Sequence, residues 1–227
     1  MFIPHREVWK RQPQVAVGID VGNEFAPYLA SYMLPLGKRG FVSHGMTTID
    51  NSWINNRLSK EGLGYCPTVA SGIGWHLNIP NKKAPSECSL LVWAVPDSTS
   101  TTDGAIVAAR YSSVDQLRVG IGNGTAQIPY ISGYQYTRLE GTPISSSEVI
   151  VGVYRQNAEQ SLYQNGVLTA QSSVSGGQGV IDAGFTLSAF YPQWVAGTCV
   201  VVLAFYKAFT PGQVKRLSAN PWQLFAP

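Results

Sequence analysis

With 227 residues, 44% of them hydrophobic and 11% aromatic, the chain holds enough apolar material for one large core, which excludes a disordered solvating polymer. Charged residues are only 13% and the net charge is +3, with Lys and Arg scattered as singles and isolated pairs; no stripe is set out to neutralise phosphates, so nucleic acid is excluded as an expected partner. No apolar run approaches the roughly 18 residues of a membrane span, so membrane insertion is not expected, and 23 glycines with 14 prolines point to strands joined by turns.

Along the chain, residues 1–45 read as an irregular, Pro-containing lead-in that packs on a sandwich formed by 46–227, the whole making a single domain. Residues 1–10 carry two basic side chains without the apolar segment of a signal peptide. Ser89 to Val95, Gly104 to Tyr111 and Gln116 to Ile121 read as consecutive antiparallel strands closed by turn residues. Glu148 to Tyr154, Ser161 to Gln164 and Val167 to Ala170 form a three-stranded meander. Its second turn, Asn165-Gly166, is the strongest local hairpin signal, because a type I′ turn needs positive φ at both central positions. Phe185 to Phe190 reads as a further strand, and Thr198 to Tyr206 is apolar enough to be covered on both faces. Thr210-Pro211-Gly212-Gln213 supplies an N-cap, a first-turn proline and a capping-box glutamine, which predicts a short helix ended by Asn220-Pro221. Cys66, Cys88 and Cys199 are odd in number and widely spaced, so they read as buried reduced thiols.

Three pieces then stand in a telling order: Leu90-Leu91-Val92-Trp93; Val149 to Tyr154 followed by Leu162-Tyr163-Gln164-Asn165-Gly166-Val167; and Phe205 to Val214. They match the paired strands, "LYVNG" hairpin, closing strand and short helix of the concanavalin A-like, laminin G-like jelly roll, which this chain resembles over roughly residues 60 to 217. Trp9, Gln12-Pro13-Gln14 and Gly18-Ile19-Asp20 at the start, with Leu217 to Phe225 at the end, look like the termini of such proteins encoded by tailed bacteriophages and prophages. The resemblance implies an all-β, two-sheet antiparallel jelly-roll sandwich with one short C-terminal helix. It also implies a non-enzymatic, virion-associated structural protein: a decoration, head-fibre or tail component made in the host cytoplasm. Its expected partners are other virion proteins and further copies of itself in a homo-oligomer. The alternative is a lectin-like adhesion module that recognises a host-surface glycan, and the third reading is a glycoside hydrolase. No cofactor is expected. Calcium is the one ion the resemblance brings in, and no acidic cluster is seen near Gly197 to Val201 to hold it.

The residues themselves favour binding over catalysis. All 13 acidic residues are isolated, the nearest pair being Asp20 and Glu24, so the aligned carboxylates of glucanases are missing and no catalytic residue is assigned. His5, His44 and His76 lie far apart, and no metal ligand set is assigned. The candidates for a sugar platform are Tyr130, Tyr134, Tyr136, Tyr191 and Trp194, rings placed beside Gln, Ser and Arg138 in stretches that read as loops. The competing reading packs these rings between sheets or against a subunit. Trp222, Leu224 and Phe225 are the assembly candidates, since they are too apolar for a free tail; they either dock on another chain or fold back on the lead-in beside Trp9 and Phe2.

Overall fold

The structure, a computed structural model, describes residues 17–35, 41–44, 48–49, 55–58, 65–68, 76–78, 86–94, 104–110, 116–122, 128–132, 138–155, 158–173, 185–188 and 199–226. Among these residues there are two seven-stranded antiparallel sheets. With strands numbered along the chain, the first sheet runs Arg138–Glu140 (β12), Ile128–Ser132 (β11), Gln116–Gly122 (β10), Gly104–Arg110 (β9), Phe185–Ser188 (β16), His76–Asn78 (β7) and Thr48–Ile49 (β4). The second runs Val167–Ser173 (β15), Glu159–Gln164 (β14), Glu148–Arg155 (β13), Glu87–Ala94 (β8), Cys199–Phe205 (β17), Leu29–Pro35 (β2) and Phe41–His44 (β3). Two small ribbons complete the set, Gly18–Ile19 (β1) with Phe225–Ala226 (β18) and Asn55–Leu58 (β5) with Tyr65–Thr68 (β6). One α-helix, Pro211–Ala219 (α1), follows β17. This is the two-sheet antiparallel sandwich with a short C-terminal helix that the sequence implies.

Local chemistry fixes several elements. Asn165 and Gly166 take φ of 50° and 80°, so the β14–β15 hairpin closes through the left-handed pair that Asn-Gly favours. The Asn165 Oδ1 accepts from the Val149 amide at 2.9 Å, tying that turn to β13. At α1 the Thr210 side chain accepts from the Gln213 amide while the Gln213 side chain accepts from the Thr210 amide, a complete capping box. The segment read as an irregular lead-in departs from that reading: Leu29–Pro35 and Phe41–His44 are strands of the second sheet. The cause is a short period-2 signal, with Ala30, Tyr32 and Leu34 buried, set between Pro27 and Pro35.

The two sheets meet through Gly152 of β13. A Cβ there would lie 2.4 Å from Val119 Cγ2 and 2.9 Å from Ile131 Cδ1, so the first sheet's side chains occupy the space that a larger residue would need. Alternate residues of the second sheet build another core on its far side. Leu91, Val151, Val201 and Leu203 join Phe25, Phe209, Val214, Leu217, Trp222, Leu224 and Phe225 in one buried cluster. Trp93 stacks on Trp222 with ring centroids 5.2 Å apart, and Phe25 meets Phe209 edge-on at 5.2 Å. Ser89, fully buried in β8, donates to the Lys207 carbonyl at 2.8 Å and accepts from the Phe209 amide at 3.0 Å, fixing the start of this covering layer. Both faces of the central strands β13, β8 and β17 are therefore committed to packing, while the edge strand β15 leaves Val167 and Leu168 exposed.

The ends of the described chain clasp each other within that layer. The Asp20 amide donates to the Leu224 carbonyl at 2.8 Å, Asn23 Nδ2 donates to the Gln223 carbonyl at 3.1 Å, and Arg216 grips Glu24 through Nε and Nη2 at 2.7 and 2.9 Å. The hydrogen-bonded Arg216 guanidinium holds the Glu24 carboxyl below its ordinary range. A depressed folded-state pKa gives stability that is present above the unfolded value of 4.5 and is lost as pH falls through the lower folded value. Because the pair is exposed, its effect is small. Glu24→Gln is expected to melt slightly below the parent at neutral pH. Thermal scans should show the gap closing as pH falls below the unfolded value of 4.5 and in high salt; a gap independent of both would show that the ion pair is not its source.

Candidate binding face

Val119 and Ile131 face the second sheet, so the alternating positions Arg118, Gly120, Tyr130 and Ser132 fall on the opposite face of the first sheet. From partner to partner, Arg138, Ser132, Arg118, Ala108, Thr186, Asn78 and Thr48 make one continuous row across all seven strands. Beside it, Arg110 pairs with Gln116 and Ser188 pairs with His76. The described members of this face are Gly120 and Tyr130, both buried, and Ser132 and Arg138, both partly exposed; its reverse side carries Val119, Ile121 and Ile131, all fully buried.

At the β12 end the geometry is specific. The Arg138 guanidinium carbon lies 4.2 Å from the centroid of the Tyr130 ring, and its Nε meets Glu140 Oε1 at 2.8 Å. The strand register puts Tyr130 opposite Glu140 and Ser132 opposite Arg138, so ring, cation and carboxylate form a triangle on two neighbouring strands. Tyr130 is 4% exposed. The expectation of a loop residue offering an open ring is therefore corrected: Tyr130 is a strand residue whose ring is covered by Arg138, and a covered ring has no face left for a sugar. Tyr134, Tyr136, Tyr191 and Trp194 lie outside the described residues. So do Trp9 and Phe2.

The assembly candidates also have a definite place. Trp222, Leu224 and Phe225 are 1%, 0% and 4% exposed and sit in the cluster over the second sheet. The tail folds back on its own chain, so these side chains have no surface with which to dock another. What placed them there is legible afterwards: Asn220 Oδ1 accepts from the Trp222 amide at 3.1 Å, turning the chain through Pro221–Leu224 and back over Trp93. In the segment QLRVGI, Arg118 stands out of phase with Leu117, Val119 and Ile121.

Three carboxylates among the described residues are engaged. Glu140 pairs with Arg138, Glu148 accepts from Gln164 Nε2 at 2.9 Å, and Glu159 pairs with Arg155 and with Gln171. Among the described residues no group of three His, Cys, Asp or Glu side chains is gathered as a metal site. Cys88 is fully buried, and burial pushes its thiol far above the ordinary range, which keeps it protonated.

The architecture defines the class: a two-sheet jelly-roll sandwich. No protein-family model matches the chain, and no curated protein sequence matches it. Solved structures do share the fold. The binding domain of botulinum neurotoxin DC, solved with rat synaptotagmin II, matches with a TM-score of 0.64 at 10% identity, over 86% of this chain and 52% of that one. The binding domain of Paraclostridial Mosquitocidal Protein 1 gives 0.58 at 8% identity, over 86% and 52%. A Trypanosoma rangeli sialidase in complex with 2,3-difluorosialic acid gives 0.59 at 11% identity, over 84% and 32%. The chain thus spans about half the length of the toxin domains and about a third of the sialidase.

Proposed function

We propose that this chain is a non-enzymatic binding module carried on a bacteriophage particle, where it holds a host-surface glycan against the polar face of its first sheet. The observation that carries this reading is the division of labour between the sheets. The central strands of the second are packed on both faces, with the apolar tail consumed in their covering layer. The first has one face in the inter-sheet core, and on the other the strand register sets polar positions Arg138, Ser132, Arg118, Thr186, Asn78 and Thr48 in one row broken by Ala108, a composition suited to sugar hydroxyls. A virion role as pure scaffold had its best support in an exposed apolar tail, and that support is gone. A non-catalytic role is supported among the described residues by Glu140, Glu148 and Glu159, which are bound to cations or amides, whereas glycoside hydrolysis asks for a cooperating acid and base about 5 to 9 Å apart.

Three structures named for binding domains or for a sialic-acid complex support the reading as analogy of fold. The phage setting is supported by the resemblance of the terminal segments. The test is an array of bacterial surface polysaccharides probed with the chain coupled in many copies to beads, because multivalency brings weak sugar contacts within reach. A discrete sugar class is expected on the array, and antibodies to the chain are expected to label intact particles. A blank array with binding to purified capsid or tail proteins would replace this reading with the structural one.

A further inference from the structure

The second sheet ends at β15, and that edge is exposed. Among the described residues β15 pairs with β14 alone, and Val167 and Leu168, at 66% and 45% exposure, set two adjacent apolar side chains on the unpaired strand. Soluble proteins commonly blunt such an edge with lysine, proline or an inward-pointing charge. Val167–Ser173 reads VLTAQSS and contains none of these. Its one blunting device is a bulge: the register shifts opposite Leu162/Tyr163, and from Ala170 to Ser173 the strand runs in step with β14. Three of its polar side chains are turned to their own chain. Thr169 Oγ1 donates to the Leu162 carbonyl at 3.0 Å, Gln171 Nε2 donates to Glu159, and Ser172 Oγ donates to the Ser173 carbonyl at 3.2 Å. The edge therefore offers outward chiefly its backbone groups and the Val167-Leu168 pair.

We propose that β15 is a self-association edge, on which two copies of this chain pair their β15 strands antiparallel about a twofold axis and continue the second sheet from one copy into the other. The occupant is argued from charge. Like charges placed directly opposite each other in a sheet repel, and a strand with no charged side chain meets its own copy in any register without that cost. The neighbouring edge is balanced as well: β12 has Cα atoms within 8 Å of β15, and its Arg138 and Glu140 form an ion pair at 2.8 Å. A twofold contact uses the same patch on both copies, so it closes at two. One short strand buries less than the about 800 Å² per partner of a standard interface, which makes the dimer a weak one with a dissociation constant in the micromolar range. The pairing is separate from the outer face of the first sheet and does not rest on what that face binds.

The experiment follows the full chain by analytical ultracentrifugation from about 1 to 300 μM, with amide hydrogen exchange measured at both ends of that range. A monomer–dimer equilibrium is expected, and the amides of residues 167–173 should exchange more slowly at the high concentration. Leu168→Lys places a charge on the edge and should raise the dissociation constant by about tenfold or more, with melting close to that of the parent because the site is exposed. Val167→Thr with Leu168→Thr keeps β-propensity while removing apolar contact; it should weaken the dimer too, and it serves if the lysine form melts early. A chain that stays monomeric throughout overturns the proposal and leaves the edge to a strand from another protein. A dimer whose 167–173 amides exchange at the same rate at both concentrations, or one that Leu168→Lys leaves as tight as the parent, overturns it by placing the contact elsewhere. Growth beyond two copies overturns the twofold pairing.

Discussion

Replacing Trp222 with alanine should lower the unfolding free energy by about 3–5 kcal/mol, the largest effect expected of any single substitution in this chain. The indole is 1% exposed, stacks on Trp93 at 5.2 Å with a 29° interplanar angle, and lies 6.4 Å from the Phe225 ring. Removing it opens a cavity in the layer that covers the second sheet, and the site cannot collapse readily. Its neighbours are held by Asn220 at one end and by the β1–β18 ribbon at the other. Denaturant melts would read the loss as a lower midpoint with an unchanged slope. The near-ultraviolet dichroism of the stacked tryptophans should disappear with it. A loss below about 1 kcal/mol would mean that residues 221–226 are not part of the cooperative unit.

Gly152→Ala is the second large effect, and its sign follows from crowding. The added methyl would sit 2.4 Å from Val119 Cγ2 and 2.9 Å from Ile131 Cδ1, both on side chains that are fully buried. Val119 is branched at Cβ and stiff, so it cannot swing aside without leaving its rotamer well. Overpacking of this kind costs about 1–3 kcal/mol. Val119→Ala alone should also destabilise, by opening a cavity. The double variant should be more stable than the sum of the two losses implies, because each change makes room for or fills the other's defect. Additive losses would show that Val119 is not what the methyl meets.

How much of this could be read in the chain depended on whether the signal was local. The Asn165-Gly166 turn and the Thr210 capping box were legible because each is specified by a few adjacent residues whose φ angles or hydrogen bonds admit little else. The strands Leu29–Pro35 and Ile128–Ser132 were not, since Pro27, Pro35, Pro129 and Gly133 give both stretches the look of loops. Only the partners β17, β10 and β12 reveal their register. The polar row is further from reach. It joins Thr48 to Arg138 through five intervening strands, and no local pattern relates positions that meet only after the sheet has formed. The terminal aromatics were visible as a group that had to be covered. What covers them, β8, β13 and β17 with the segment around Phe25, is a long-range outcome.

That covering layer bears on how the protein is made. Phe25, Tyr32 and Leu34 are translated about 180 residues or more before Val214, Leu217, Trp222 and Phe225, with which they share a core. At about 5–20 residues per second, the early side chains wait roughly ten seconds or more for their partners. Strand β2 waits as well, because its neighbour β17 follows it by about 165 residues. Nascent chains therefore carry these side chains without their core partners over that interval, until the α1 and 221–226 segments close over them.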